Sequence, residues 1–275
     1  MNTHDAPLLG RYTGADEDWE YPAFEAHEFR PRKSRYCICP FVINENGRLH
    51  SQLGKMQSIA GDIDVVLADG GSTDGSTDPD RLREFGVRTL LVKQGPGKLG
   101  AQMRMAFAYA LSQGYEAVIC VDGNDKDDVP KALPLFLEKL DAGFDHLQGS
   151  RYVPGGHHEN TPLLRHFGVK LLHAPVLTVA SGFHYTDTTN GFRAYSRRLL
   201  EDENVRVFRK ELAGYELHYY LAIQAARRGF RVAEVATTRV YPKHGSTPTK
   251  ISGIRGNLKI LGVLFRTALG AHDVR

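Results

Sequence analysis

Four short runs, at residues 36–43 (YCICPFVI), 62–69 (DIDVVLAD), 87–92 (VRTLLV) and 115–121 (YEAVICV), are dominated by apolar side chains without alternating, and each stops at a polar turn. A strand that is apolar on both faces must be covered on both, which a one-faced antiparallel sheet does not do. Segments with helical spacing separate these runs at 47–59 and 100–113. Apolar strands alternating with helices predict an α/β, Rossmann-like layering over residues 35–150, with a mostly parallel central sheet flanked by helices. Further on, 130–142 and 215–228 read as helices, the second stopped by Gly229, and 146–152 and 230–240 read as strands.

The flanks differ from this periodic middle. Residues 1–34 are acidic, proline-spotted and aperiodic, and read as an N-terminal extension on which Trp19, Tyr21 and Phe24 pack against the domain. The domain itself is expected over 35–252, with 253–275 as a basic amphipathic C-terminal segment. Of 275 residues, 41% are hydrophobic and 24% charged, which suits a globular chain. The 35 basic and 32 acidic residues lack the strong basic excess of a nucleic-acid-binding domain. That balance is a cancellation: residues 1–28 hold seven acids against Arg11, while residues 239–275 hold seven bases against Asp273. A basic tail with apolar residues at helical spacing suits either a membrane interface or an ordinary closing helix. The stretch 171–186 lacks charged residues, but it contains Pro175 and is too short and polar for a membrane span. Cys37, Cys39 and Cys120 sit in apolar runs without metal-type spacing and read as buried thiols. The first residues lack a basic and then apolar leader pattern, so the expectation is a cytoplasmic protein, at the inner face of a membrane where it meets lipid. Homo-oligomer formation is left open.

Ligands of open parallel sheets bind outside the carboxyl ends of the strands, and every chemically suggestive segment falls at such an end. The first end carries Pro40, Asn44 and Glu45. The second carries Asp69 followed by two glycines, suited to a ribose or base edge, or to an Asx turn alone. Residues 93–100 (KQGPGKLG) put Lys98 and glycines at a helix start, an anion-site pattern without Walker A spacing. Residues 121–128 (VDGNDKDD) place four carboxylates within seven residues, hard oxygen donors that suit Mg²⁺ or Mn²⁺ shared with phosphates, or a solvated turn.

In this order and spacing, PFVINE, DGGSTDGS, GKLG, VDGND, GSRYVPGG (149–156), TDTTNGFRAYS (186–196) and YPKHGSTPTK (241–250) resemble inverting glycosyltransferases of family 2, GT-A fold, in the branch of the polyprenyl-phosphate mannose synthases. The resemblance covers residues 36–252. It implies a nucleotide-diphosphate sugar donor and a polyprenyl phosphate or glycan acceptor. It also implies that Asp69, Pro40, Asn44 and Glu45 line the nucleotide cleft and that Asp122 opens a D-x-D metal motif. Arg151 and Arg165 correspond to the holders of an acceptor phosphate. Asp187 and Asn190 fall in the segment at the donor-sugar end, and Lys243 and Lys250 in a basic loop that closes on the diphosphate.

The chain departs from that pattern at two places: Gly70 stands for the second aspartate of D-D-G-S, and Asn124 for the second of D-x-D. Asn is a weaker oxygen ligand, and Lys126 supplies a positive charge beside it, so Asp125 or Asp127 becomes an alternative metal ligand. An ionised phosphate acceptor needs no general base, whereas a sugar hydroxyl does, with Asp187 or Glu216 as candidates. Two alternatives stand beside transfer to polyprenyl phosphate: transfer to a sugar hydroxyl in glycan assembly, and a non-catalytic nucleotide-sugar binder. A nucleotidyltransferase would want a glycine-rich basic loop where PFVINE stands.

Overall fold

A computed structural model describes residues 8–9, 18–59, 61–243 and 253–274. Its strands are β1 (Leu8–Leu9), β2 (Phe24–Glu28), β3 (Cys37–Val42), β4 (Asp64–Asp69), β5 (Thr89–Lys93), β6 (Ala117–Asp122), β7 (His146–Ser150), β8 (His157–Glu159), β9 (Arg193–Ser196), β10 (Val232–Ala236) and β11 (Thr238–Val240). The helices are α1 (Gly47–Met56), α2 (Pro79–Glu84), α3 (Leu99–Ser112), α4 (Val129–Asp141), α5 (Leu163–Gly168), α6 (Ala174–Ser181), α7 (Arg197–Leu200), α8 (Glu216–Arg227) and α9 (Gly253–Ala268).

Nine strands form one sheet in the order β1-β2-β5-β4-β3-β6-β9-β7-β10. The four apolar runs become β3 to β6, mutually parallel at the centre and buried, as their two-sided apolarity requires. Pro40 lies inside β3, the most central of them, and lacks an N–H. The ladder to β4 is broken there, resuming at Phe41↔Ala68. Helix α3 covers one face with Met103, Phe107 and Tyr109, while α1 and α4 cover the other with Leu49, Leu53, Leu133 and Phe136. All three cysteines are buried and unpaired.

Elsewhere the sheet is less regular than the sequence pattern suggests. Residues 24–28, within the stretch read as an extension, form β2, antiparallel to β5. Phe24 and Ala26 point into the core, and Trp19 stacks on Phe208 at 3.9 Å between ring centroids. Strand β9 runs antiparallel between β6 and β7. The expected strand at 230–240 divides at Thr237 into β10, parallel to β7, and β11, which pairs with β8 in a separate small sheet. Residues 163–181 form one helical run, α5 and α6 joined by a π-helical turn at Val169–His173. Pro175, at the start of α6, lacks the N–H that an α-helical ladder needs, and a widened turn just before it absorbs that mismatch.

Candidate active site

Strand directions bring the suggestive segments to one edge. Strands β3, β4 and β6 end there. Antiparallel β9 begins there, and β7 and β10, which oppose β9, end there too.

The loop after β4 is held by its own aspartate. Asp69 is buried, and its Oδ1 accepts from the Ser72 N–H at 2.9 Å and the Ser72 hydroxyl at 2.6 Å, while Oδ2 accepts from Thr77 Oγ1 at 3.2 Å. Asn44, in the left-handed region, ties the loop after β3 to it by accepting from the Thr73 N–H at 2.7 Å. Glu45 accepts from Arg48 at 3.1 Å at the start of α1, and Pro40 is buried inside β3. These residues build a rigid shelf whose carboxylates serve the shelf itself.

At the start of α3, the N–H groups of Lys98 and Ala101 both donate to the carbonyl of Ala213. A Cβ at Gly100 would stand 2.5 Å from the Leu212 carbonyl oxygen, so this close approach requires glycine. The helix N-terminus is thus capped by backbone, and the exposed Lys98 side chain remains as the cation of that loop.

Beyond β6 the arrangement is different. Asp122 Oδ2 accepts from Arg239 Nη2 at 2.8 Å, and Arg239 Nη1 donates to Asp127 Oδ2 and Asn190 Oδ1, both at 2.8 Å. Arg239 and Asp127 are almost wholly buried, whereas a third of the Asp122 side chain is open to solvent. Burial alone would raise the Asp122 pKa, but Arg239 and Lys126 outweigh it and hold this carboxyl well below the usual range. Burial, with Arg239 adding to it, pulls Lys126 down to about 8. A Cβ at Gly191 would stand 2.6 Å from Asp122 Oδ1, so glycine there keeps that oxygen accessible. Asp125 faces away, paired with Lys55 at 2.8 Å and Ser51 at 2.7 Å on α1. Asp127 is committed to Arg239 through Oδ2 alone; its Oδ1 and the Asn124 Oδ1 are buried without a hydrogen-bond partner among the described residues.

Arg151 and Arg165 lie near Tyr241, whereas Glu216 is not brought to it. Arg151 is buried and grips Asp187 through Nε at 2.6 Å and Nη2 at 3.0 Å; its Nη1 is buried with no partner among the described residues. Asp187 is fully buried, and although burial would raise its pKa, Arg151 brings it below the ordinary value. Asn190 spends its side chain on Arg239, the Phe192 N–H and Thr237. Glu216, at the first turn of α8, accepts from the Gly214 N–H. Arg165, on α5, donates to the Tyr241 hydroxyl at 3.2 Å. Burial would raise the Tyr241 pKa; Arg239, Arg165, Arg151 and Lys126 together lower it. Lys243 is exposed just beyond, and Lys250 lies outside the described residues.

The model of glycosyl transferase family 2 matches residues 47–203. The chain belongs to that family. It is 30% identical over 255 residues to a polyprenol monophosphomannose synthase of Mycolicibacterium smegmatis, covering 89% of each chain. It is also 30% identical over 212 residues to an undecaprenyl-phosphate mannosyltransferase of Micrococcus luteus, covering 76% of this chain and 84% of that one. Among solved structures, glucosyl-3-phosphoglycerate synthase of Mycobacterium tuberculosis superposes with a TM-score of 0.60 at 16% identity, covering 87% of this chain and 86% of that chain in its complex with UDP. That synthase has also been crystallised with Mn²⁺ and UDP. The fold of this family 2 glycosyltransferase is therefore GT-A.

Sequence reasoning did not single out Arg239 or Tyr241 as site residues. Nothing in TTRVY reports them locally: the structure buries the polar side chains of Thr237 and Arg239 with Tyr241 and turns Val240 to solvent, an inversion of the usual strand alternation.

Proposed function

We propose that this glycosyltransferase moves a hexosyl group from a nucleoside diphosphate sugar to the phosphate of a polyprenyl phosphate, with inversion at the anomeric carbon. The observation that carries the reading is the set of four cations, Lys126, Arg151, Arg165 and Arg239, gathered around Tyr241 against three carboxylates among the described residues, Asp122, Asp127 and Asp187. Such a site is built for more negative charge than these carboxylates supply. The names of the two relatives, a polyprenol monophosphomannose synthase and an undecaprenyl-phosphate mannosyltransferase, point the same way.

Lys126 and Arg239 face the departing diphosphate, where negative charge grows as the glycosidic C–O bond breaks. Asn124 Oδ1 and Asp127 Oδ1 are buried oxygens without a hydrogen-bond partner among the described residues, and with Asp122, whose Oδ2 alone meets Arg239 among the described contacts, they are hard donors of the kind a divalent cation completed by water and phosphate takes. Mg²⁺ or Mn²⁺ held there would supply further charge stabilisation to the diphosphate. The acceptor phosphate belongs at Arg151 Nη1 and Arg165, and its ionised oxygen attacks the anomeric carbon directly.

Base chemistry favours this acceptor over a sugar hydroxyl. Asp187 is held in a two-point grip by Arg151 and has its basicity reduced, and Glu216 is engaged by the Gly214 N–H just before its own helix. A phosphate monoester asks for neither. Acceptors of this kind are met at a bilayer, which fits a peripheral enzyme at the inner face of a membrane; no helix among the described residues is long and apolar enough to cross one.

The test is nucleoside diphosphate release from a panel of GDP, UDP and CDP sugars with a short-chain polyprenyl phosphate. Release should depend on the polyprenyl phosphate and fall by about 10³-fold in Asp122→Ala. Transfer only to sugar hydroxyls would overturn the acceptor, and unchanged turnover in Asp122→Ala would overturn the site.

A further inference from the structure

Tyr241 is buried just beyond β11, and its backbone is fixed on both sides. Its N–H donates to the Glu159 carbonyl at 3.0 Å, and its own carbonyl accepts from Asn160 Nδ2 at 3.0 Å. The small β8–β11 sheet therefore places the ring. Three cations approach it, with Lys126 Nζ at 5.5 Å, the Arg165 guanidinium at 5.7 Å and the Arg239 guanidinium at 6.0 Å from its centroid. Of these, Arg165 alone reaches the hydroxyl, donating to it from Nη1 at 3.2 Å. Arg151 is anchored by Asp187 and Arg239 by Asp122 and Asp127, whereas among the described residues the Tyr241 oxygen is the one hydrogen-bond anchor of Arg165.

A phenol accepts through its oxygen and has one proton to give. Here the oxygen is used, and among the described residues nothing accepts from the O–H. Leaving a buried donor unmet costs free energy, so the pocket is completed by something that accepts. The charged side chains that act on Tyr241 are Arg239, Arg165, Arg151 and Lys126, and cations only donate. An anion meets both conditions: it accepts from the hydroxyl and is drawn by the charges around it. A hydroxyl that donates to a charged oxygen makes the stronger class of hydrogen bond.

We infer that Tyr241 is a direct ligand of the acceptor phosphate, its O–H donating to one phosphate oxygen while its own oxygen holds Arg165 beside the same group. This deepens the acceptor reading above and rests on it. Arg151 Nη1, Arg165 and the Tyr241 O–H then supply three donors to a phosphate monoester, leaving a further oxygen for attack on the anomeric carbon. The donor diphosphate is the other anion of the reaction, and Lys126 and Arg239 face it. The hydroxyl bonds to neither of those two and meets Arg165 instead, so the acceptor phosphate takes its proton.

Calorimetry on the full-length protein reads binding apart from transfer. Tyr241→Phe keeps the ring and removes the hydroxyl, and should bind a water-soluble short-chain polyprenyl phosphate about tenfold more weakly than wild type. Its affinity for the nucleoside diphosphate should be unchanged, which also shows that the variant is folded. In an Arg165→Ala background the same substitution should still weaken acceptor binding, though by less, because the direct contact survives the loss of Arg165. Equal acceptor binding by Tyr241→Phe and wild type, with transfer intact, would overturn the contact and leave the acceptor reading standing. An effect that disappears in the Arg165→Ala background would reduce Tyr241 to a support for Arg165 and overturn the contact too. So would an equal loss of nucleoside diphosphate affinity, which would give the hydroxyl to the donor. Polyprenyl phosphate that binds wild type, binds Tyr241→Phe more weakly and yet receives no sugar from wild type would support the contact and remove the acceptor reading.

Discussion

The loops after β4 and β6 flank the same central strand, open at the same edge and each begin with an aspartate, yet they neutralise it in opposite ways. Asp69 is satisfied by N–H and hydroxyl groups a few residues along its own chain. Asp122 is satisfied by Arg239, 117 residues away on another strand. A carboxylate capped by its own turn is fixed as soon as the turn forms, and it shapes the cleft. One neutralised by a distant side chain can exchange that partner for another cation or ligand, which is the property a reactive site needs.

The contrast can be broken from either side. Replacing Arg239 with Ala would leave Asp122 and the wholly buried Asp127 without their shared cation, and should destabilise the fold by about 3–5 kcal/mol in urea unfolding. Arg239→Lys, which keeps charge without the fork, should recover only part of that loss. Equal stability of Arg239→Ala and wild type would mean that the carboxylates there are neutralised by something else.

A smaller effect is expected from acid. In the same half of the sheet, His146 stacks on Tyr195, and burial followed by the nearby Arg193 pushes its pKa down to about 3. The unfolded chain therefore binds this proton first. The stability that neutral His146 confers is complete above about pH 6.5 and is lost as pH falls toward 3, at about 1.4 kcal/mol per unit. Comparing urea unfolding at pH 7 and pH 5, His146→Phe should lower the difference by about 2 kcal/mol; the same difference in both proteins would contradict the buried neutral state.

Asp69→Ala should have the smallest effect, about 1–2 kcal/mol from the freed turn donors, read by thermal unfolding. Donor affinity should weaken through loosening of the shelf, with turnover at saturating donor retained. Turnover lost to the same extent as in Asp122→Ala would erase the distinction between the two loops.

The same division explains what was legible in the sequence. Strands β3 to β6 and helices α1, α3 and α4 could be read because each is apolar for its own local reasons and is connected to its neighbour by a short segment. Asp69 and Asp122 could be placed at strand ends for the same reason. β2 was not legible, because only its alternate residues Phe24 and Ala26 are buried and its FEAHE pattern is half polar. Arg239 was hidden differently: its partners Asp122 and Asp127 come from one distant segment and Asn190 from another, and no local spacing reports a meeting of that kind. The Arg151–Asp187 grip joins residues 36 apart in the same way.

Strand β9 carries one further consequence. It arrives from far along the chain, pairs with β6 on one side and β7 on the other, and runs against both. The first 150 residues therefore contain the regular parallel sheet but cannot close it: released during synthesis, they present β6 as an open, apolar edge ready to pair with another chain. Completion of the fold waits for residues 193–196, so the tidy half of this enzyme depends for its solubility on the untidy half that follows it.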